Sequence, residues 1–200
     1  MKAIILGGIG TTKKHITRTK MFYKNKGIEP IFYKAGGLFG SDLFRKDKWK
    51  DHVNFIIKDI TTPYFLHCFS GSCFIGYEIN SNVNAKAIIL ESGPTEPTIK
   101  NFQNFININY GIKIPYSFIK YGMDTFSIYA LDKDEFANKW YYDNKPKKNV
   151  IILAGCKDNL IDLDYINRDY ISTESNNKIV LFVYNYSDIL IAKATFQGFP

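Results

Sequence analysis

The stretch FLHCFSGSCFIG, Phe65 to Gly76, decides how the chain is read. An apolar run of Phe, Leu, Cys and Phe, interrupted by His67, leads into Ser70. Glycine follows at once, and the small residues Cys68 and Ser72 stand two before and two after the serine. That is the shape of a strand turning sharply into a helix, since small neighbours are needed where the backbone folds back on itself. Ser70 is either a nucleophile presented at such a turn or one more hydroxyl in an apolar chain, and the flanking sequence decides which.

Upstream, KAIILGG (Lys2 to Gly8) is a continuous apolar run ended by glycine, as expected for a strand buried on both faces of a parallel sheet. The following TTKKHITRTKMFYKNKG puts Ile16, Lys20 and Tyr23 at helical spacing and closes on Gly27. EPIFYKAG, Glu29 to Gly36, reads as a second strand. From Lys48 to Ile60, Trp49, Val53, Ile56, Ile57 and Ile60 share one helical stripe. Pro63 then precedes a third strand, Tyr64 to Phe69, which carries the serine at its end.

Downstream, Ile75 and Ile79 share a face of a short helix, and AKAIILESGP (Ala85 to Pro94) is a fourth strand. NVIILAGC (Asn149 to Cys156) is a fifth, DLDYINRDYIST a polar amphipathic helix, and KIVLFVYN (Lys178 to Asn185) a sixth. Strands and helices alternating at this spacing imply βαβ units, hence an α/β fold with a mostly parallel, doubly wound sheet of about six strands and helices on both faces. The interval from Thr95 to Lys148 breaks the rhythm with Asn- and Tyr-rich sequence. It reads as an excursion off the sheet, helical around Asp132 to Trp140, within one domain spanning residues 1–200.

Composition agrees with that class. Two hundred residues at 46% hydrophobic and 22% charged suit one domain with a full core. The net charge of +7 is scattered apart from KDKWK (Lys46 to Lys50) and KPKK (Lys145 to Lys148), and no aromatic-plus-basic recognition motif accompanies it, which argues against nucleic acid as a partner. Cys68, Cys73 and Cys156 show no CxxC spacing and only three histidines are present, so neither a disulfide framework nor a metal cluster is expected. A reducing, cytoplasmic setting follows. MKAIILGG is too short for a signal peptide, and no apolar run of about 18 residues suggests a transmembrane segment. Gly8 and Gly10 in GGIG lack G-x-G-x-x-G spacing and an acidic partner on the second strand, so no nucleotide cofactor is expected.

Four blocks resemble the transmembrane-protein-53-like branch of the α/β-hydrolase fold, a domain-of-unknown-function family. GGIGTTKKHITRTKMFYKNKG (Gly7 to Gly27) is similar to its opening loop and helix, and HCFSGSCFIGYEI (His67 to Ile79) to its elbow, where a histidine stands three before the serine. ESGP (Glu91 to Pro94) resembles its Asp-Ser-x-Pro block, and GCKDNLIDLDYI (Gly155 to Ile166) the segment carrying a triad acid. The resemblance implies Ser70 as nucleophile, Asp158 as acid, and an oxyanion hole from the backbone N–H of Gly71 with that of Gly8 or Ile9. It implies an ester or other acyl compound as ligand, and a chain that runs on past residue 200.

The triad order in this fold is Ser, then Asp or Glu, then His after the last strand. No histidine follows His67 in this chain, and in NYSDILIAKATFQGFP the nearest matching place holds Ile189, which takes no proton. His67, inside an apolar strand, reads as a core histidine hydrogen-bonded to the backbone. His15 either faces the mouth of the site as a substitute base or lies on the surface; His52, between Asp51 and Val53, reads as solvent-exposed. Asp158 fits an acid or a helix-starting turn equally, Asp162 fits such a turn, and a water held by Asp158 or Asp188 is another stand-in base. Two readings remain in front: a weak or degenerate serine hydrolase, and a non-catalytic descendant of the fold that binds a small ligand or a protein partner.

Overall fold

The protein, described from a computed structural model, is defined over residues 1–8, 11, 13–14, 16–34, 45, 48–61, 63–93, 98–126, 128, 130, 135–146, 149–155 and, as backbone, 179–184. Strand β1 (Lys2–Leu6) lies inside the sheet because beyond Lys2 it carries no polar side chain: Ala3, Ile4, Ile5 and Leu6 are all fully buried. After it come α1 (Thr17–Asn25), β2 (Glu29–Tyr33), α2 (Trp49–Lys58), β3 (Tyr64–Phe69), a 3-10 turn (Ser70–Ser72) and α3 (Cys73–Asn82). The chain continues through β4 (Ala87–Glu91), α4 (Ile99–Tyr110), α5 (Tyr116–Thr125), α6 (Glu135–Asn144), β5 (Val150–Gly155) and β6 (Ile179–Tyr184).

The six strands lie in the order β2-β1-β3-β4-β5-β6, and every neighbouring pair is parallel. All six are at the positions that the apolar runs indicated, trimmed by one to three residues where the runs ended in glycine or a polar residue. Edge strand β2 is held to β1 by Glu29 N–H donating to the Met1 carbonyl (3.1 Å) and by Gly7 N–H donating to the Tyr33 carbonyl (2.9 Å), with Pro30 opposite Ala3.

Strand alternation sorts the core into two layers. Ile4, Leu6, Leu66, Cys68, Ile88, Leu90, Val150 and Ile152 face α2, α3 and α6, meeting Val53 and Ile56, then Phe74, Ile75, Tyr77 and Ile79, then Tyr141. Ala3 and Ile5, with Phe65 and Phe69, face α1 through Ile16 and Tyr23. Helices therefore cover both faces, and the stripe expected on α2 is the one that packs. The side chain of Trp49 lies outside the described residues, as does the amphipathic helix expected in DLDYINRDYIST.

The excursion after β4 is helical. Thr98 caps α4 by accepting from Asn101 N–H (3.1 Å), and Gly111 ends it in the left-handed region (φ 67°) that a residue without a side chain adopts at no steric cost. Helices α4 and α5 enclose a small core of their own, Ile99, Ile119, Met123 and Ala130, with Phe102, Ile106 and Ile114 against it. Gln103 fastens the hairpin by donating to the Ile114 carbonyl (2.6 Å). Helix α6 returns to the main core, where Trp140 and Tyr141 pack on Phe74 of α3. Among the described residues no helix is long and apolar enough to cross a membrane.

Burial gives the core an alkaline weakness. It pushes the Tyr23 phenol far above its usual range, helped by the negative charge of Glu91, and it raises Tyr64 and the thiols of Cys68 and Cys73 as well. In the unfolded chain these groups release protons from about pH 8.5 for thiols and about pH 10 for tyrosines. Their contribution to stability is therefore complete below that range and falls as pH rises through it, because the folded state binds more protons than the unfolded one. The urea midpoint is expected to fall steadily between about pH 8.5 and 11, and less steeply in Tyr23→Phe. A midpoint constant over that range would show that these groups are not shielded from water.

Candidate active site

Order of the strands locates the site before any side chain does. The chain leaves β1 through α1 on one face of the sheet and leaves the adjacent β3 through α3 on the other, so the connections diverge at their carboxyl ends and make a switch point between them. In open α/β sheets that switch point is where ligands bind. Gly8 follows β1 there, and Ser70 follows β3.

Within a single residue the backbone changes course. Phe69 is extended (φ −100°, ψ 127°), Ser70 has φ 53°, and Ser72 is already helical (φ −69°, ψ −8°). A left-handed φ costs a residue with a Cβ roughly 1–2 kcal/mol. It persists here because the surroundings over-determine it. A Cβ placed on Gly8 would lie 2.8 Å from the Phe69 carbonyl oxygen and 3.0 Å from Ser70 Cβ. One on Gly93 would lie 2.8 Å from Cys73 Sγ and 3.2 Å from the Ser70 carbonyl oxygen, and one on Gly76 only 2.4 Å from Cys68 Sγ. The exits of β1 and β4 and the fourth residue after the turn thus all press on the elbow, each through a glycine. Fully buried Ser72 adds a hydrogen bond, its Oγ lying 3.0 Å from the Leu6 carbonyl and 2.9 Å from that of Phe69, so one proton serves two strand ends.

Gly71 lies in the first turn of the helical segment, whose amides have no acceptor within the helix. Such N–H groups suit an oxygen that gains negative charge, which is the part the resemblance gives to Gly71. Gly8 sits against Ser70, as required of a second donor's loop. Ile9, His15, Asp158, Asp162, Asp188 and Ile189 lie outside the described residues. Among the described residues no group of three His, Cys, Asp or Glu side chains is placed to hold a metal ion.

His67 differs from the sequence expectation in its partners. It is buried, but it bonds side chains rather than backbone: Tyr23 Oη lies 3.0 Å from Nδ1 and Glu91 Oε2 2.9 Å from Nε2, while the ring stacks on Phe69 with centroids 4.7 Å apart. The phenol of Tyr23 holds its proton tightly, so it is assigned as donor to Nδ1, and Nε2–H then donates to the Glu91 carboxylate. Both ring nitrogens are occupied, which leaves His67 no free position for taking a proton from Ser70. His52, expected in solvent, is half-buried on α2.

Three features of the site had no forecast: the Tyr23–His67–Glu91 chain, the Ser72 hydrogen bond, and the second strained serine, Ser92 (φ 52°), directly after Glu91. The only trace of the first is a histidine and a glutamate breaking otherwise apolar strands.

No family model matches the chain, and no curated protein matches it. Solved structures do. An esterase from Pyrococcus furiosus superposes with a TM-score of 0.61 at 16% identity, covering 96% of this chain and 76% of that one. Alpha/beta hydrolase domain-containing protein 10 from mouse gives 0.58 at 16% identity over 98% and 87%, and a monoacylglycerol lipase from Paleococcus ferrophilus gives 0.54 at 8% over 92% and 84%. At these identities the likeness is one of fold, and it agrees with the strand order and with the strained serine between strand and helix: the chain has the α/β-hydrolase fold.

Proposed function

We propose that the protein is a degenerate serine hydrolase, with Ser70 as a nucleophile toward ester or other acyl carbons and with turnover limited by the lack of a matching histidine. The observation that carries this reading is the left-handed Ser70 at the sharp turn between β3 and α3, the kind of position where backbone strain serves to present a nucleophile. Gly71 N–H and an amide at the β1 exit, from Gly8 or Ile9, are the proposed oxyanion donors, and Asp158 the proposed acid. His15 is the proposed substitute base, because His67 is committed to Tyr23 and Glu91. Losing general-base help lowers the rate by about 10² to 10⁴, while oxyanion stabilisation alone retains about 10³ over water.

The test is a fluorophosphonate probe on the purified, folded chain. Slow labelling at Ser70 is expected, abolished in Ser70→Ala and slowed further in His15→Ala. An unlabelled chain with a cooperative melting transition rules out the nucleophile. The second reading, a binding protein that keeps the fold without catalysis for a small acyl ligand or a protein partner, is favoured by the same occupied ring of His67 and would then stand.

A further inference from the structure

The hairpin of α4 and α5 exposes more apolar surface than its own packing explains. Its inward side is complete: Ile99, Ile119, Met123 and Ala130 are buried, and Phe102, Ile106 and Ile114 close over them. Yet its tip carries Ile108, Tyr110 and Ile112, each about half exposed, followed by Tyr116, and the outer side of α5 carries Phe118 at 69% and Tyr121 at 73% exposure. At 100° per residue Phe118 and Tyr121 share one side of α5, opposite Ile119 and Met123. Two bulky rings facing water there contribute nothing to the fold. Scattered single apolar residues are ordinary on a surface, but six within fourteen positions of one hairpin mark a contact site.

Charge identifies the partner. Between Thr98 and Phe126 the cations are Lys100, Lys113 and Lys120, all exposed, against the single anion Asp124, on a chain of net charge +7. Isoleucine with tyrosine and phenylalanine is the composition that enters the boundary between headgroups and acyl chains, and lysines reach from there to phosphates on their long stems. We propose that the α4–α5 hairpin docks on the surface of an anionic phospholipid bilayer, with Ile108, Ile112, Phe118 and Tyr121 inserted at the interface and Lys113 and Lys120 on the lipid phosphates. The hairpin follows the exit of β4, the strand next to β3 in the sheet. The inference stands whether or not Ser70 reacts.

Sedimentation of the full chain with vesicles tests it. Binding is expected to vesicles of phosphatidylcholine mixed with phosphatidylglycerol, about tenfold or more stronger than to phosphatidylcholine alone, and weakening as salt is raised. The double variant Phe118→Ser/Tyr121→Ser is expected to bind about tenfold less while melting as the parent does, because neither ring is in the core. Lys113→Gln/Lys120→Gln is expected to lose the preference for anionic lipid and keep the residual apolar binding. No sedimentation with the mixed vesicles overturns the proposal, as does binding unchanged in both variants. A concentration-dependent dimer that the Phe118/Tyr121 variant dissolves overturns it in favour of a second copy as the occupant.

Discussion

Gly8→Ala is expected to slow fluorophosphonate labelling of Ser70 by at least about tenfold and to cost about 1–3 kcal/mol of stability. The added methyl would lie 2.8 Å from a carbonyl oxygen and 3.0 Å from Ser70 Cβ, and neither is the loose end of a long side chain. Relief requires the β1 exit or the elbow itself to move. Either motion separates the proposed oxyanion donors from the serine, and small displacements of reacting groups are costly in rate. Gly122→Ala is the control, because a Cβ there meets nothing within 4 Å and α5 gains helix propensity worth about 1 kcal/mol. Labelling by the Gly8 variant at the parent rate would mean that the β1 exit does not shape the site. Intact-mass spectrometry over time gives the rate, and urea titration the stability.

His67→Phe is expected to be the most destabilising single change at the site, by about 2–4 kcal/mol, with Ser70 labelling retained in the folded fraction. The substituted ring still stacks on Phe69, but the Tyr23 hydroxyl loses its partner in a dry layer, and the Glu91 carboxylate, about a quarter exposed, loses its buried donor. Partial exposure of Glu91 keeps the figure below that of a wholly buried pair. Tyr23→Phe in the His67→Phe background should cost at least about 1 kcal/mol less than it does alone, a coupling that urea titration of the four proteins measures. Additive effects would dissolve the network as a unit. Labelling abolished in a folded His67→Phe protein would make His67 the base, against the hydrogen bonding described.

The sheet was legible because its inner strands β1, β4 and β5 are buried on both sides. KAIIL, AIILE and VIILAG leave no period to confuse, and glycine or a polar residue ends each run. The position of Ser70 was legible for the same reason, at the end of the third such run. What the sequence hid depends on register. Glu91 meets His67 only because β3 and β4 pair with Phe69 beside Glu91, which turns both polar side chains to the face covered by α1. No spacing within either strand encodes that. Helices α4 and α5 were obscured by asparagines and by aromatic residues on the solvent side, which blur the helical period that Ile99, Phe102 and Ile106 carry on the inward face. If those outer residues serve a lipid surface, the blurred pattern is the record of two opposed apolar demands on one hairpin.

The proline in β2 has a consequence for how copies of this protein meet one another. Glu29 and Tyr33 bond inward to β1, so by alternation the main-chain groups of residues 30 and 32 point away from the sheet. Pro30 therefore removes an amide donor from the rim, at no cost to the ladder within. A stray extended peptide, or the matching strand of a neighbour, that approaches this edge finds a gap in the hydrogen-bonding template along which an intermolecular sheet would grow.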